Sequence, residues 1–276
     1  MELEGQVGKV GIEVRIETVE KTALTSTASS SPAIGTRRAL QKEPDATPVM
    51  YQTWRDLLFL HWEWNPAEIQ ATLPPGLYVD TFGEKAYVAV TPFFMDDVRA
   101  SFLPEIPGTA NFLELNVRTY VYDRNGVPGI WFYSLDCNQA LAVGLAKFFY
   151  SLPYHAARME AREAAGLIEY TCQRHGQAES ARFHYRREAK VVGSQAGSLP
   201  FFLCERYLLY AYSAKTQKLY SARVYHAPWS LFQAHAGKCD ETMLRLNNLN
   251  PRLHPPHHAW FASPVRVKIY ALQAAP

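Results

Sequence analysis

The chain has 276 residues, of which 48% are hydrophobic, 20% charged and 13% aromatic, a composition that excludes a disordered chain. Lysine and arginine number 28 against 26 acidic residues, and a formal charge of +2 is too small for a nucleic-acid-binding protein. No apolar stretch reaches the roughly 20 residues that a membrane-spanning helix needs. We therefore expect neither a nucleic acid nor a membrane as partner.

Neither the spacing of the cysteines nor any signature motif indicates a metal or a cofactor. The four cysteines are far apart and form no C-x-x-C pair. The chain contains no Gly-rich phosphate loop, no G-x-S-x-G and no H-E-x-x-H. The N-terminus lacks the apolar block of a signal peptide, so we predict a cytoplasmic protein with free thiols, although an even count also allows two disulfides.

Residues 1–49 are predicted to be a flexible leader. The stretch from about Thr22 to Thr47 is rich in Ser, Thr, Ala and Pro, and it buries too little apolar surface to offset the entropy of ordering. An aromatic-rich block follows Met50, so a translation start near Met50 is one alternative, and a strand near Val10 to Val19 is another. Residues 50–276 are assigned to a single domain.

From Tyr51 onward the pattern predicts hairpins with a few short helices. Asn65, Pro66 and Glu68 supply a cap, a first-turn proline and a capping-box acid for a short helix. Two hairpins follow, the first turning at Phe82 to Lys85 and the second at Asp123 to Gly126.

The C-terminal half continues in the same way. Asp136 is predicted to cap a helix that runs to about Tyr150. Residues 154–173 favour a hairpin turning at Gly166, and residues 199–205 a helix followed by two more strands. Because so many strands would leave exposed edges in an open sheet, we predict a mainly β (α+β) fold, a β-barrel with short flanking helices and an interior ligand pocket.

The strand from Leu113 to Tyr122 carries the most informative polar face. Alternation places Glu114, Asn116 and Arg118 on one side and apolar residues on the other. The face is either exposed to solvent or buried. If it is buried, Arg118 needs a carboxylate, supplied either by Glu114 as a structural pair or by an anionic ligand.

The strand beginning at Tyr154 offers a second set of polar residues. Alternation places Tyr154 and Arg158 on one face, and both are predicted to bind the ligand. His155 points the other way and is more typical of a satisfied core residue. His226 with Trp229 is likewise assigned mainly to core packing.

The histidine-rich loop is not predicted to hold a metal. His254, His257 and His258 lie in an extended proline-containing segment, and no acidic residue or cysteine is near to complete a coordination shell.

A series of segments resembles the YqjF-like family of uncharacterised proteins, in the order QTWRDLLFLHWEWNPAEIQ, ELNVRTYV, FYSLD, LPYHAARM, ERYLLY and VYHAPW. That family is similar to the acetoacetate decarboxylase-like superfamily, and the resemblance implies a β-barrel with an interior pocket. In the decarboxylases a Pro-Lys-Lys segment supplies a Schiff-base lysine, whereas the matching segment here is Pro153-Tyr154-His155. A tyrosine forms no iminium, and Lys147 is predicted to face solvent, so the resemblance carries over the pocket without the decarboxylation. It also places the superfamily's pocket glutamate at Glu114.

These observations leave two functions open. In the first, the pocket binds a small organic (keto) acid, with Arg118 and Asn116 as binding residues and Tyr154 or Glu114 moving a proton in a lyase or isomerase. In the second, the barrel binds or senses such a metabolite without catalysis. Neither function requires a cofactor, and the sequence allows a homo-oligomer without predicting one.

Overall fold

A computed structural model describes residues 31–101, 110–139, 152–250 and 254–276. Within them the fold is mainly β, as predicted. The short helices are α1 (Ile34–Ala39), α2 (Pro66–Gln70), α3 (Leu199–Cys204) and α4 (Thr242–Arg245). The strands are β1 (Met50–Arg55), β2 (Leu57–Trp64), β3 (Leu77–Val79), β4 (Ala86–Ala100), β5 (Phe112–Asp123), β6 (Pro128–Cys137), β7 (Tyr154–Ala164), β8 (Leu167–Arg174), β9 (Ala181–Val192), β10 (Leu208–Ser213), β11 (Lys218–His226), β12 (Leu231–Cys239), β13 (His258–Ala262), β14 (Val265–Ile269) and β15 (Gln273–Ala274).

The strands form one sheet that closes on itself. One closed circuit of pairings runs β1-β14-β11-β10-β6-β5-β4 and back to β1. A second runs β6-β7-β8-β9-β12-β13-β2-β4-β5 and back to β6. A closed sheet leaves few unpaired strand edges. The sequence analysis predicted closure for this reason. The finer assignment of a β-barrel remains a prediction.

Turn chemistry explains the local hairpins. The β5–β6 turn is the predicted one, in which the Gly126 amide donates to the Asp123 carbonyl at 2.9 Å and Gly126 has a φ of +73°. The β7–β8 hairpin turns at Ala165 and Gly166, both at positive φ. Asn65 caps α2 as predicted, since its side chain accepts a hydrogen bond from the Ala67 amide.

Two sequence predictions about neighbouring strands were wrong. The segment before Phe82 was expected to pair with β4, yet β3 pairs with β5, and only an isolated bridge joins Phe82 to Lys85. Asp136 was expected to cap a helix, yet it lies in β6 and its carboxylate binds Arg174. The remainder of that predicted helix, with Lys147, lies outside the described residues.

Part of the predicted leader forms hydrogen bonds with residues of the domain. Arg37 in α1 forms two hydrogen bonds of 2.7 Å to the carboxylate of Asp80, which is fully buried. Arg206 binds the same carboxylate at 2.8 Å, and Arg223 donates to two carbonyls of the segment after α1. The assignment of residues 1–49 to a flexible leader remains a prediction. The predicted strand near Val10 to Val19 lies outside the described residues.

The two faces of the shared strands β4, β5 and β6 meet different surroundings. Leu115 and Val117 belong to an apolar core that includes residues of β2, β7, β8 and β9. The alternate residues of β5 lie on the opposite face, where Phe59, Phe93 and Tyr120 belong to a second cluster. Because alternation divides β5 this way, its polar residues face the second cluster and not water.

Candidate functional site

The polar residues of β5 lie in rows with residues of neighbouring strands. His61 of β2 is paired with Ala89 of β4, and Ala89 is paired with Arg118 of β5. In the next row, Thr91 is paired with Asn116. Directly paired residues point to the same side of a sheet, so these side chains share one face.

Glu114 and Tyr154 form the first element of the site. Glu114 is only 3% exposed, and the Tyr154 hydroxyl donates a hydrogen bond of 2.8 Å to its Oε2. Tyr154 reaches this position because β7 runs parallel to β6 and pairs Tyr154 with Leu135. The structure thus brings together two residues that the sequence analysis had placed in the site.

The environment keeps Glu114 protonated near neutral pH. Burial raises the pKa of Glu114 to about 8, and the charge of Asp136 acts in the same direction, although the hydrogen bond from Tyr154 opposes both. Burial and the neighbouring Glu114 also raise the pKa of Tyr154 well above its ordinary value. A neutral carboxylic acid can donate a proton. The hydroxyl of the neighbouring phenol can then donate a hydrogen bond to the resulting carboxylate.

The backbone of Glu114 is fixed from the other side of the sheet. Tyr170 of β8 is fully buried, and its hydroxyl contacts the carbonyls of Glu114 and Phe93 at 2.9 and 3.2 Å. The position of the carboxyl group is therefore supported by both faces of the strand.

Arg118 is a buried cation with unused donors. It is 7% exposed, and its Nε and Nη2 have no hydrogen-bond partner. Its guanidinium carbon lies 5.1 Å from the centre of the Phe59 ring, a cation–π contact. Among the described residues no carboxylate forms an ion pair with it, Glu114 included, so the structural-pair interpretation has no support.

The charge of Arg118 acts on its surroundings. Burial, followed by the nearby Arg118 charge, lowers the pKa of His61 well below its ordinary value. Burial lowers the pKa of His226 to about 4, and Arg118 contributes to this as well. Both histidines are therefore neutral at physiological pH and do not compete with Arg118 for an anion.

Asn116 and Thr91 add unpaired polar atoms beside Arg118. Asn116 is 5% exposed and Thr91 is fully buried, and neither Asn116 Oδ1 nor Thr91 Oγ1 has a hydrogen-bond partner. Buried polar atoms without partners are rare in folded proteins. Two of them lie in one row, next to an arginine whose Nε and Nη2 also have no partner, which makes this face the candidate site.

Sequence reasoning missed His61 and Thr91. His61 Nε2 lies 2.8 Å from the Tyr120 hydroxyl, and both side chains are fully buried. The available signal was a single histidine inside the apolar run LLFLHWEW and a single threonine in AYVAVTPFF. Only the strand register shows that they share a face with Arg118.

Arg158 is not brought into this group. Its side chain is 75% exposed and bonds to Glu160 at 3.2 Å, although the sequence analysis had placed it with Tyr154. Ala157 and Met159 on either side of it are buried, so alternation along β7 turns Arg158 to the exposed face of the strand.

Other polar clusters offer no metal site in the described part of the chain. No group of three or more His, Cys, Asp or Glu residues is arranged to hold a metal ion there. His226 packs between Tyr207 and Trp229 with centroid distances of 4.6 Å to each, which is the expected core packing. Across the described ranges, no helix has the length and apolar character to cross a membrane.

Solved structures define the class of fold. The enduracididine biosynthesis enzyme MppR complexed with pyruvate aligns with 84% of this chain and 93% of its own at a TM-score of 0.59 and 12% identity. An acetoacetate decarboxylase from Legionella pneumophila aligns with 90% of this chain and 98% of its own at 0.59 and 11%. An acetoacetate decarboxylase-like enzyme from Sphingomonas wittichii RW1 aligns with 84% of this chain and 94% of its own at 0.58 and 14%. The protein therefore has the acetoacetate decarboxylase-like fold.

Sequence comparison then gives the family. The family model DUF2071, described as an uncharacterized conserved protein, matches residues 51–266. The protein YqjF of Bacillus subtilis (strain 168) is 40% identical over 206 residues, which cover 73% of this chain and 84% of YqjF. The chain belongs to this YqjF-like family, as its sequence motifs indicated.

Proposed function

We propose that the chain binds a small organic acid, such as a keto acid, on the face of β5, with Arg118 as the carboxylate anchor. The observation that carries this proposal is the buried guanidinium of Arg118, whose Nε and Nη2 have no partner. A ligand carboxylate would supply two charge-assisted hydrogen bonds and neutralise the charge. The fold likeness to an enzyme complexed with pyruvate supports the same ligand class.

The site is also suited to proton transfer. Glu114 is the proton donor in this proposal, because burial raises its pKa to about 8, and Tyr154 orients its carboxyl group. Arg118 would stabilise the negative charge of an enolate. Such a site supports a lyase or isomerase that works by acid–base chemistry.

No lysine is found among the buried polar side chains of the described residues, and Tyr154 occupies the segment where the decarboxylases carry their lysines. This supports chemistry without an iminium. It equally favours the second function, a barrel that binds or senses the acid without turnover, and a turnover assay separates the two. In both cases we place the ligand inside a barrel and the protein in the cytoplasm, where four free cysteines are stable.

The binding proposal predicts ligand-dependent thermal stabilisation that requires Arg118. Pyruvate, acetoacetate and lactate are titrated into the wild type, Arg118→Met and the control Arg162→Ala, which removes an exposed arginine of β7. At least one acid should raise the melting temperature of the wild type and the control, with the stabilisation growing as RT ln(1 + [L]/Kd). Arg118→Met should show no such rise. Equal stabilisation of Arg118→Met, or none by any of the acids, would refute the proposal.

A further inference from the structure

Thr91 and Asn116 form a pair of buried polar side chains whose oxygen atoms have no partner inside the protein. They are directly paired across β4 and β5, on the face that carries Arg118. Thr91 Oγ1 and Asn116 Oδ1 are both buried and lack hydrogen-bond partners.

Two other buried hydroxyl groups, on β5 and β6, have hydrogen-bond partners. Thr119 lies on the opposite face of β5, and its hydroxyl donates to the Tyr87 carbonyl at 2.7 Å. Ser134 of β6 accepts a hydrogen bond of 2.9 Å from Asn247. The fold satisfies these two hydroxyls on the opposite face of the sheet, whereas Thr91 Oγ1 and Asn116 Oδ1, on the face with Arg118, have no partner.

The chemistry of the two side chains limits what can bind them. An amide oxygen only accepts hydrogen bonds, so Asn116 Oδ1 needs a donor from the ligand. A keto oxygen cannot supply one. A hydroxyl group can donate to Asn116 and at the same time accept from the Thr91 hydroxyl.

We propose that Thr91 and Asn116 bind a hydroxyl group on the ligand whose carboxylate Arg118 holds, so that the preferred ligand is a hydroxy acid or the enol of a keto acid. This inference rests on the proposed function. Paired residues on neighbouring strands lie about 5 Å apart, and residues two positions apart on a strand about 7 Å. One small molecule can therefore contact all three side chains. Thr91 becomes a specificity-determining residue that the sequence analysis had not assigned.

The test compares acids that share a carbon skeleton. Isothermal titration calorimetry measures the affinities of lactate, pyruvate and propanoate for the wild type. The hydroxyl group of lactate should give it an affinity about tenfold higher than that of propanoate, which corresponds to one good hydrogen bond. Pyruvate, without a donor, should bind more like propanoate.

Two substitutions that nearly preserve side-chain shape test whether Thr91 and Asn116 cause the preference for lactate. Thr91→Val and Asn116→Leu should each reduce the ratio of lactate affinity to propanoate affinity, because propanoate has no hydroxyl group for these side chains to bind. Thr171→Val, on β8, is the matched control and should keep the full preference. The comparison of ligands on the wild type remains decisive even if a variant folds poorly.

The outcomes separate this inference from the proposed function. Equal affinities of lactate and propanoate for the wild type would overturn the hydroxyl preference and leave the carboxylate site intact. Absence of binding by all three acids would overturn both. A lactate preference that persists unchanged in Thr91→Val and Asn116→Leu would overturn the assignment to these two residues.

Discussion

Arg174→Met is expected to destabilise the protein by about 3–5 kcal/mol, whereas Arg118→Met should change its stability by no more than about 1–2 kcal/mol. The two arginines are equally buried, each at 7% exposure. Arg174 Nε and Nη2 bind both carboxylate oxygens of Asp136, at 2.7 and 2.8 Å. Removing Arg174 leaves Asp136 buried and unpaired, while removing Arg118 takes an uncompensated charge out of the interior.

Chemical denaturation of the two variants measures this contrast. Methionine retains most of the apolar stem, so the comparison reports mainly on charge. The double variant Arg174→Met with Asp136→Leu should regain much of the lost stability, because it removes the orphaned carboxylate as well. A large loss in Arg118→Met that Glu114→Gln partly restores would instead show that Arg118 and Glu114 form a structural pair.

The second large effect is the pH dependence that Glu114 gives to stability. The pKa of Glu114 is about 8 in the folded chain, above its ordinary value of 4.5, so the folded state retains a proton that the unfolded state releases. The stability that protonated Glu114 contributes is fully present below its ordinary pKa of 4.5 and is lost as the pH rises toward 8. Glu114→Gln removes this dependence and keeps an acceptor for the Tyr154 hydroxyl.

We therefore expect Glu114→Gln to become more stable relative to the wild type between about pH 5 and pH 8, by on the order of 3 kcal/mol. Free energies of unfolding at several pH values measure the change. Glu160→Gln, at a carboxylate that is 56% exposed, is the control and should leave the pH profile unaltered. Parallel profiles for Glu114→Gln and the wild type would contradict the raised pKa.

Local chemistry made parts of the fold predictable. Asp123 and Gly126 define the β5–β6 turn through interactions within four residues, and Ala165 with Gly166 does the same for β7–β8. The failures concern long-range partners. Asp136 was assigned to a helix cap because its neighbours favour one, yet its actual partner, Arg174, lies 38 residues further along the chain.

The candidate site likewise contains residues that a local pattern predicts and residues that only long-range strand pairing identifies. Alternation within β5 was enough to put Glu114, Asn116 and Arg118 on one face, since that depends only on the period of a strand. Thr91 and His61 join them through the register of β2, β4 and β5, which no local pattern encodes.

A crystal structure of the wild-type protein with lactate tests the central claim most directly. We expect a carboxylate oxygen of lactate about 2.7–2.9 Å from Arg118 Nε or Nη2. The lactate hydroxyl should lie within hydrogen-bond distance of Asn116 Oδ1 and Thr91 Oγ1. Arg118 bound instead to a carboxylate of the protein, with no lactate on the face of β5, would contradict it.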